Sequence, residues 1–230
     1  MTADRALIEA VRVGLEAAAD PDRAPQMQRY MKSSMPYYGA PSPAQRKIFG
    51  EAFRAHPLAT AEDWRNTIEG LWREATHREE RYAAIELAKR SAYRKFRTRD
   101  ALPLYEAMIV EGAWWDYVDT IASNLLGELL DSDTEWMTAL MRRWGRDEDL
   151  WKRRASIICQ LKRRDRLDTS LLTDCVEANL EDRDFFIRKA IGWALRQHAK
   201  QDPEWVRAFV AAHEDRLSGL SRREAMKHLA

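Results

Sequence analysis

Five segments of the chain share a local pattern at nearly constant intervals, and no other feature restricts the fold so strongly. Ile85, Ile121, Ile157, Ile191 and Met226 lie in "RYAAIELA", "DYVDTIASNLL", "RRASIICQL", "IRKAIGWAL" and "RREAMKHL", at successive spacings of 36, 36, 34 and 35 residues. One further short helical segment fits between each pair, so the repeating unit is a pair of helices. A unit of this length cannot bury its apolar face alone; it must stack on its neighbours.

The rest of the chain agrees with helix pairs. Apolar residues recur at helical spacing over Arg5–Ala19, Ala44–Ala55, Ala61–Glu74, Glu79–Tyr93, Asp100–Glu111, Trp114–Leu130, Thr134–Trp144, Leu150–Lys162, Ser170–Asn179, Asp184–Lys200, Pro203–Ala212 and Ser221–Leu229. No alternating β-branched run and no Asn-Gly or Asp-Gly hairpin turn occurs. Breaks fall at "PSPAQ", "DPEW", "DSDTEW" and "TAEDW", which offer proline or capping side chains at helix starts. The tetratricopeptide pattern W-x-x-L-G-x-x-Y is missing, and HEAT-like pairs fit better. The expected fold class is all-α: an α-solenoid or superhelix of HEAT-like helix pairs whose inner helices line a concave groove, in a single domain over residues 1–230.

A chain of 230 residues with 45% apolar content can bury a sizeable core. No run of eighteen apolar residues and no signal-like N-terminus is present, so the expectation is a soluble cytoplasmic protein without a membrane partner. Cys159 and Cys175 lack the spacing of a zinc site or a disulfide framework, and the five histidines show no catalytic or metal spacing. Net charge is +1, but the charges are segregated: Arg142–Arg166 holds ten basic residues against four acidic ones, and Lys89–Arg99 holds six and none. Such segregation makes either solvated helix faces or a stripe for a polyanion.

Residues out of place on their helices narrow the choice. In "EGAWWDYVDTIASNLLGELL", Trp114, Val118, Ile121, Ala122, Leu125 and Leu129 form one apolar face, which makes Trp114 a core residue. Trp115 and Asp119, four apart, fall together on its shoulder, where an indole and a carboxylate can meet a cation. In "DFFIRKAIGWALRQHAK", Trp193 projects away from the buried face, beside Lys189, Arg196 and Gln197. In "DLWKRRASIICQLKR", Arg154 lies on the apolar side with Leu150, Ile157, Ile158 and Leu161. Its guanidinium could pair with an acid at the seam between repeats or reach a phosphate at the groove's edge.

"WWDYVDTIA", "WKRRASIICQLK" and "FFIRKAIGWALRQHAK" resemble the corresponding stretches of the AlkD-type DNA alkylation repair glycosylases, which are built from HEAT-like repeats. "QRYMKSSMPYYGAPSPAQRK" and "LSRREAMKHL" extend the likeness to nearly the whole chain. The resemblance implies that the family's catalytic aspartate falls on Asp119, its two DNA-facing tryptophans on Trp115 and Trp193, its phosphate-contacting arginine on Arg154, and its N-terminal aromatic on Tyr30. Lys189, on the same helix face as Trp193, joins Arg154 and Tyr30 as an expected phosphate-contacting residue.

On this resemblance the chain is expected to be a monofunctional DNA glycosylase. It would excise cationic N3- and N7-alkylated purines from duplex DNA, as a monomer, without a base-flipping pocket and without a metal or organic cofactor. Asp119 would stabilise the oxocarbenium-like sugar and position water. Two other readings stay open at this point: a non-catalytic HEAT-like protein that binds damaged or bent DNA, and a protein-interaction scaffold.

Overall fold

The structure, a computed structural model, describes residues 3–229. Among the described residues there are helices and turns but no strand, so the fold is all-α. The chain divides between Arg97 and Thr98 into two compact units.

The first unit contains α1 (Arg5–Ala17), α2 (Ala24–Met31), α3 (Ser42–Ala55), α4 (Ala61–Arg73) and α5 (Arg78–Lys89), followed by a 3-10 turn over Ser91–Phe96. Asp4 caps α1 by accepting from the Leu7 amide at 2.9 Å, and Thr60 caps α4 by accepting from the Asp63 amide at 3.0 Å. Leu7, Ile8, Val11 and Leu15 recur at helical spacing and bury α1 against α3, α4 and α5, where Phe49, Phe53, Trp64, Ile68, Leu71 and Leu87 complete the core. Helix α2 has a single buried residue, Met31, and ends at Lys32 in the left-handed conformation, φ 48°. At eight residues it offers only Met27 and Met31, one turn apart, toward the interior, too short a run for periodicity to mark.

The second unit contains α6 (Leu102–Gly112), α7 (Trp115–Thr120), α8 (Gly127–Ser132), α9 (Thr134–Trp144), α10 (Leu150–Ile158), α11 (Thr169–Glu177), α12 (Phe185–His198), α13 (Pro203–Ala212) and α14 (Gly219–Met226). Asp149, Asp168 and Asp184 cap α10, α11 and α12 with their carboxylates. Helix α10 packs between α7 and α12, and α12 packs on α14, so successive repeats stand side by side. The repeat markers Ile121, Ile157 and Ile191 are buried in these seams, whereas on α14 Ala225 takes the buried place and Met226 is half-exposed.

Helices α7 and α8 are one rod interrupted by a π-helical stretch over Ile121–Leu126. The Gly127 amide reaches back five residues to the Ala122 carbonyl. Ser123 Oγ and Asn124 Nδ2 donate to the carbonyls of Asp119 and Thr120, each at 2.7 Å, so polar side chains follow the change of register. Gly127 lies against α10: a Cβ there would sit 2.9 Å from the Cys159 carbonyl oxygen. No described helix is long and apolar enough to cross a membrane.

Candidate nucleic-acid site

The centre of the second unit is an ion pair joining three successive repeats. Arg154 on α10 donates from Nε to Asp119 Oδ1 at 2.7 Å and from Nη2 to Asp119 Oδ2 at 2.8 Å, a fork-on-fork geometry. Its Nη1 donates to the Phe186 carbonyl in the first turn of α12. The Arg154 side chain is 4% exposed and that of Asp119 13%, so both are largely withdrawn from solvent, the arginine more completely. The sequence left Arg154 a choice between a seam acid and a phosphate. The structure gives it the seam acid through Nε and Nη2 and the Phe186 carbonyl through Nη1.

Burial pushes the Asp119 carboxyl above its usual range, opposed by the Arg154 hydrogen bonds and charge and aided slightly by Asp116. The carboxylate is therefore desolvated but oriented, with its two oxygens fixed by one guanidinium. Trp115 opens α7 one turn before Asp119, is half-buried, and has no hydrogen-bond partner among the described residues. Trp193 on α12 is likewise half-buried, two turns beyond Phe186. No hydrogen bond among the described residues links either indole to the Asp119–Arg154 pair.

Beneath the pair lies an aromatic cluster that periodicity did not assemble. Trp114 precedes the helix in extended conformation, φ −151° and ψ 146°, rather than occupying its first turn. Its half-buried ring meets Phe186 edge-on at 5.4 Å and Trp151 at 6.2 Å. Trp151 lies 5.1 Å from Phe186, and Phe185, 57% exposed, continues the cluster outward at 5.5 Å. The signal was available in the sequence: an aromatic at the start of each of three successive inner helices, once per repeat.

Two further expected contacts take different forms. Lys189 is tied to Glu224 on α14 at 2.6 Å, and Arg196 grips the other oxygen of the same carboxylate at 2.5 Å. These partners hold the Glu224 carboxyl below its ordinary range, the Lys189 hydrogen bond contributing most. Tyr30, on α2 of the first unit, is 78% exposed, as a ligand-facing phenol needs to be. Cys159 and Cys175 are buried free thiols, their pKa values pushed up mainly by burial. Among the described residues no group of three His, Cys, Asp or Glu could hold a metal ion.

Comparisons with known proteins bear on the family and the fold. A family model described as DNA alkylation repair enzyme matches residues 11–229. A solved structure described as a predicted DNA alkylation repair enzyme from Enterococcus faecalis is 28% identical, with a TM-score of 0.83 over 92% of this chain and 97% of that one. The Pseudomonas fluorescens alkylpurine DNA glycosylase AlkC, bound to DNA containing an abasic site analog, shares the fold at a TM-score of 0.53 and 14% identity, over 97% of this chain and 61% of that one. No curated protein matches.

Proposed function

We propose, from the premise that this chain belongs to the DNA alkylation repair enzyme family, that it is an AlkD-type monofunctional glycosylase removing N3- and N7-alkylated purines from duplex DNA. The observation that carries the reading is the Asp119 carboxylate, largely desolvated and held at both oxygens by Arg154.

Alkylation at N3 or N7 makes the purine cationic and a good leaving group, so the base needs little acid catalysis. As the glycosidic bond breaks, its electron pair goes to the purine and positive charge develops at C1′ of the deoxyribose. Asp119 stabilises that charge and orients a water, which adds its oxygen to C1′ and passes its proton to the Asp119 carboxylate, which releases it to solvent. Arg154 is a positioning residue that fixes the carboxylate and keeps its charge compensated while the site is empty. Trp115 and Trp193 offer π faces to the cationic sugar and base. Duplex DNA is the partner, held through its phosphates by a monomeric protein, with Lys189 and Tyr30 among the contacts.

A second reading, a DNA-binding protein without catalysis, is favoured by the completeness of the Asp119–Arg154 pair, which could serve as a seam alone. Incubation with duplex containing 7-methylguanine separates the two. The glycosylase releases free base above the spontaneous rate, and Asp119→Asn loses that release while still binding duplex. Binding without release by the wild-type protein would falsify the catalytic reading.

A further inference from the structure

Most arginines that are half-buried or buried in this chain are spent on an acceptor: Arg12 on Glu80, Arg153 on Asp182, Arg163 on Asp131 and Arg196 on Glu224. Arg90 is an exception. It is half-buried just past the end of α5, and its guanidinium faces the Phe53 ring at 5.6 Å without a hydrogen bond or ion pair among the described residues. Opposite it, on α3, stands Arg46, exposed and equally without an acceptor. Both line a groove of about 330 Å³ between α3 and α5, in the first unit.

Three features make this groove an anion site rather than a solvated surface. Its other cation, Lys89, is taken up by Glu86 at 2.5 Å, which leaves the charges of Arg46 and Arg90 uncompensated. A half-buried guanidinium with unfilled donors has lost part of its hydration and gains most from an anionic acceptor. Gly50 leaves the helix backbone bare in the groove wall: a Cβ there would meet nothing closer than Arg54 Nη1 at 3.6 Å.

We propose that this groove binds a phosphate group, gripped by the guanidinium of Arg90 from one wall and that of Arg46 from the other, over the open surface at Gly50. Planar guanidinium forks match phosphate oxygens at two points each, which a lysine does not. A strand of duplex DNA and a free phosphate monoester present the same chemistry. Assignment to the DNA backbone rests on the function proposed above; the phosphate site does not.

The test uses the full chain, Arg46→Ala/Arg90→Ala, and Gly50→Leu, which fills the groove and leaves both charges. Circular dichroism and thermal midpoints check folding; leucine at an interior helix position favours the helix. Inorganic phosphate binding is measured by titration calorimetry at low ionic strength. Undamaged duplex binding is followed by fluorescence anisotropy across about 50–200 mM salt. Both variants are expected to lose phosphate binding and to weaken duplex binding about tenfold, and the double variant to reduce the salt slope by about 0.9 for each DNA phosphate it no longer neutralises. Loss of inorganic phosphate binding with duplex affinity intact assigns the groove to a free phosphate. Wild-type binding of both ligands by the double variant, or by Gly50→Leu, overturns the site. If wild-type protein releases no methylated base but these variants behave as expected, the catalytic reading fails and the groove stands.

Discussion

Arg154 and Asp119 bind each other at two points across one repeat interval, and the same guanidinium reaches the next repeat through the Phe186 carbonyl. One side chain thus ties α7, α10 and α12 together and sets the direction of the Asp119 carboxylate. Buried ion pairs seldom add much net stability, because desolvation offsets attraction. Keeping one here has a use if the carboxylate must be charged, dry and oriented when a cation arrives.

The pair predicts two different phenotypes. Asp119→Asn leaves the Arg154 guanidinium without its counter-charge and should also lower stability; per folded molecule it should lower the excision rate by about 2–4 kcal/mol of barrier, with duplex affinity little changed. Arg154→Ala leaves a buried carboxylate without its cation and should destabilise the fold by about 3–5 kcal/mol. Denaturant unfolding and single-turnover base release measure the two effects separately. Because Arg154 donates into the seam, Arg154→Ala should leave the salt slope of undamaged-duplex binding near the wild-type value. A slope lower by about one would return Arg154 to the phosphate.

Glu224 holds Lys189 and Arg196 with a single carboxylate. DNA phosphates would compete with it for the same cations. Glu224→Gln should therefore tighten duplex binding and steepen its salt dependence, by anisotropy at several ionic strengths. Adding Lys189→Ala to Glu224→Gln should remove most of the gain. If Glu224→Gln leaves the affinity as it was, Lys189 is a structural cation and no phosphate ligand.

The π-helical stretch after Asp119 yields a packing prediction. Gly127→Ala would place a methyl 2.9 Å from the Cys159 carbonyl oxygen, a backbone atom that cannot swing away. The expected cost is about 1–3 kcal/mol of stability, read as a lowered denaturant midpoint. Base release per folded molecule should also fall, since the displaced rod carries Asp119.

The fold was legible because helix pairs stacked at a fixed interval leave an apolar residue at matching places in successive seams, as Ile121, Ile157 and Ile191 do, with α14 shifted by one residue to Ala225. Asp119, Trp115 and Trp193 stand out in the sequence as side chains off the buried faces of their helices, and the structure leaves each of them half-buried. The partner of Arg154 was not, because a single helix gives no view of its neighbour. A usable signal existed nonetheless: Asp119 and Arg154 lie 35 residues apart, as do Lys189 and Glu224, so opposite charges one repeat apart mark the seams. The π turn left no trace in composition, being a change in which carbonyl each amide selects. Helix α2, which carries Tyr30, escaped because it buries only Met31.

His198 supplies a pH dependence. It is buried at 6% exposure, its ring meets Trp205 edge-on at 5.0 Å, and neither ring nitrogen has a hydrogen-bond partner among the described residues. Burial lowers its pKa from the ordinary 6.5, opposed by the Asp202 charge. The unfolded chain then takes up a proton at higher pH than the folded one. Stability from the neutral imidazole is complete above about 6.5 and is lost as pH falls from there through the lower folded value. Unfolding free energies measured at intervals between about pH 7.5 and 5 should decline over that window. In His198→Phe, which keeps an aromatic ring beside Trp205 and cannot take up a proton, the decline should be shallower. An equal decline in both proteins would show that the acid sensitivity arises at other groups.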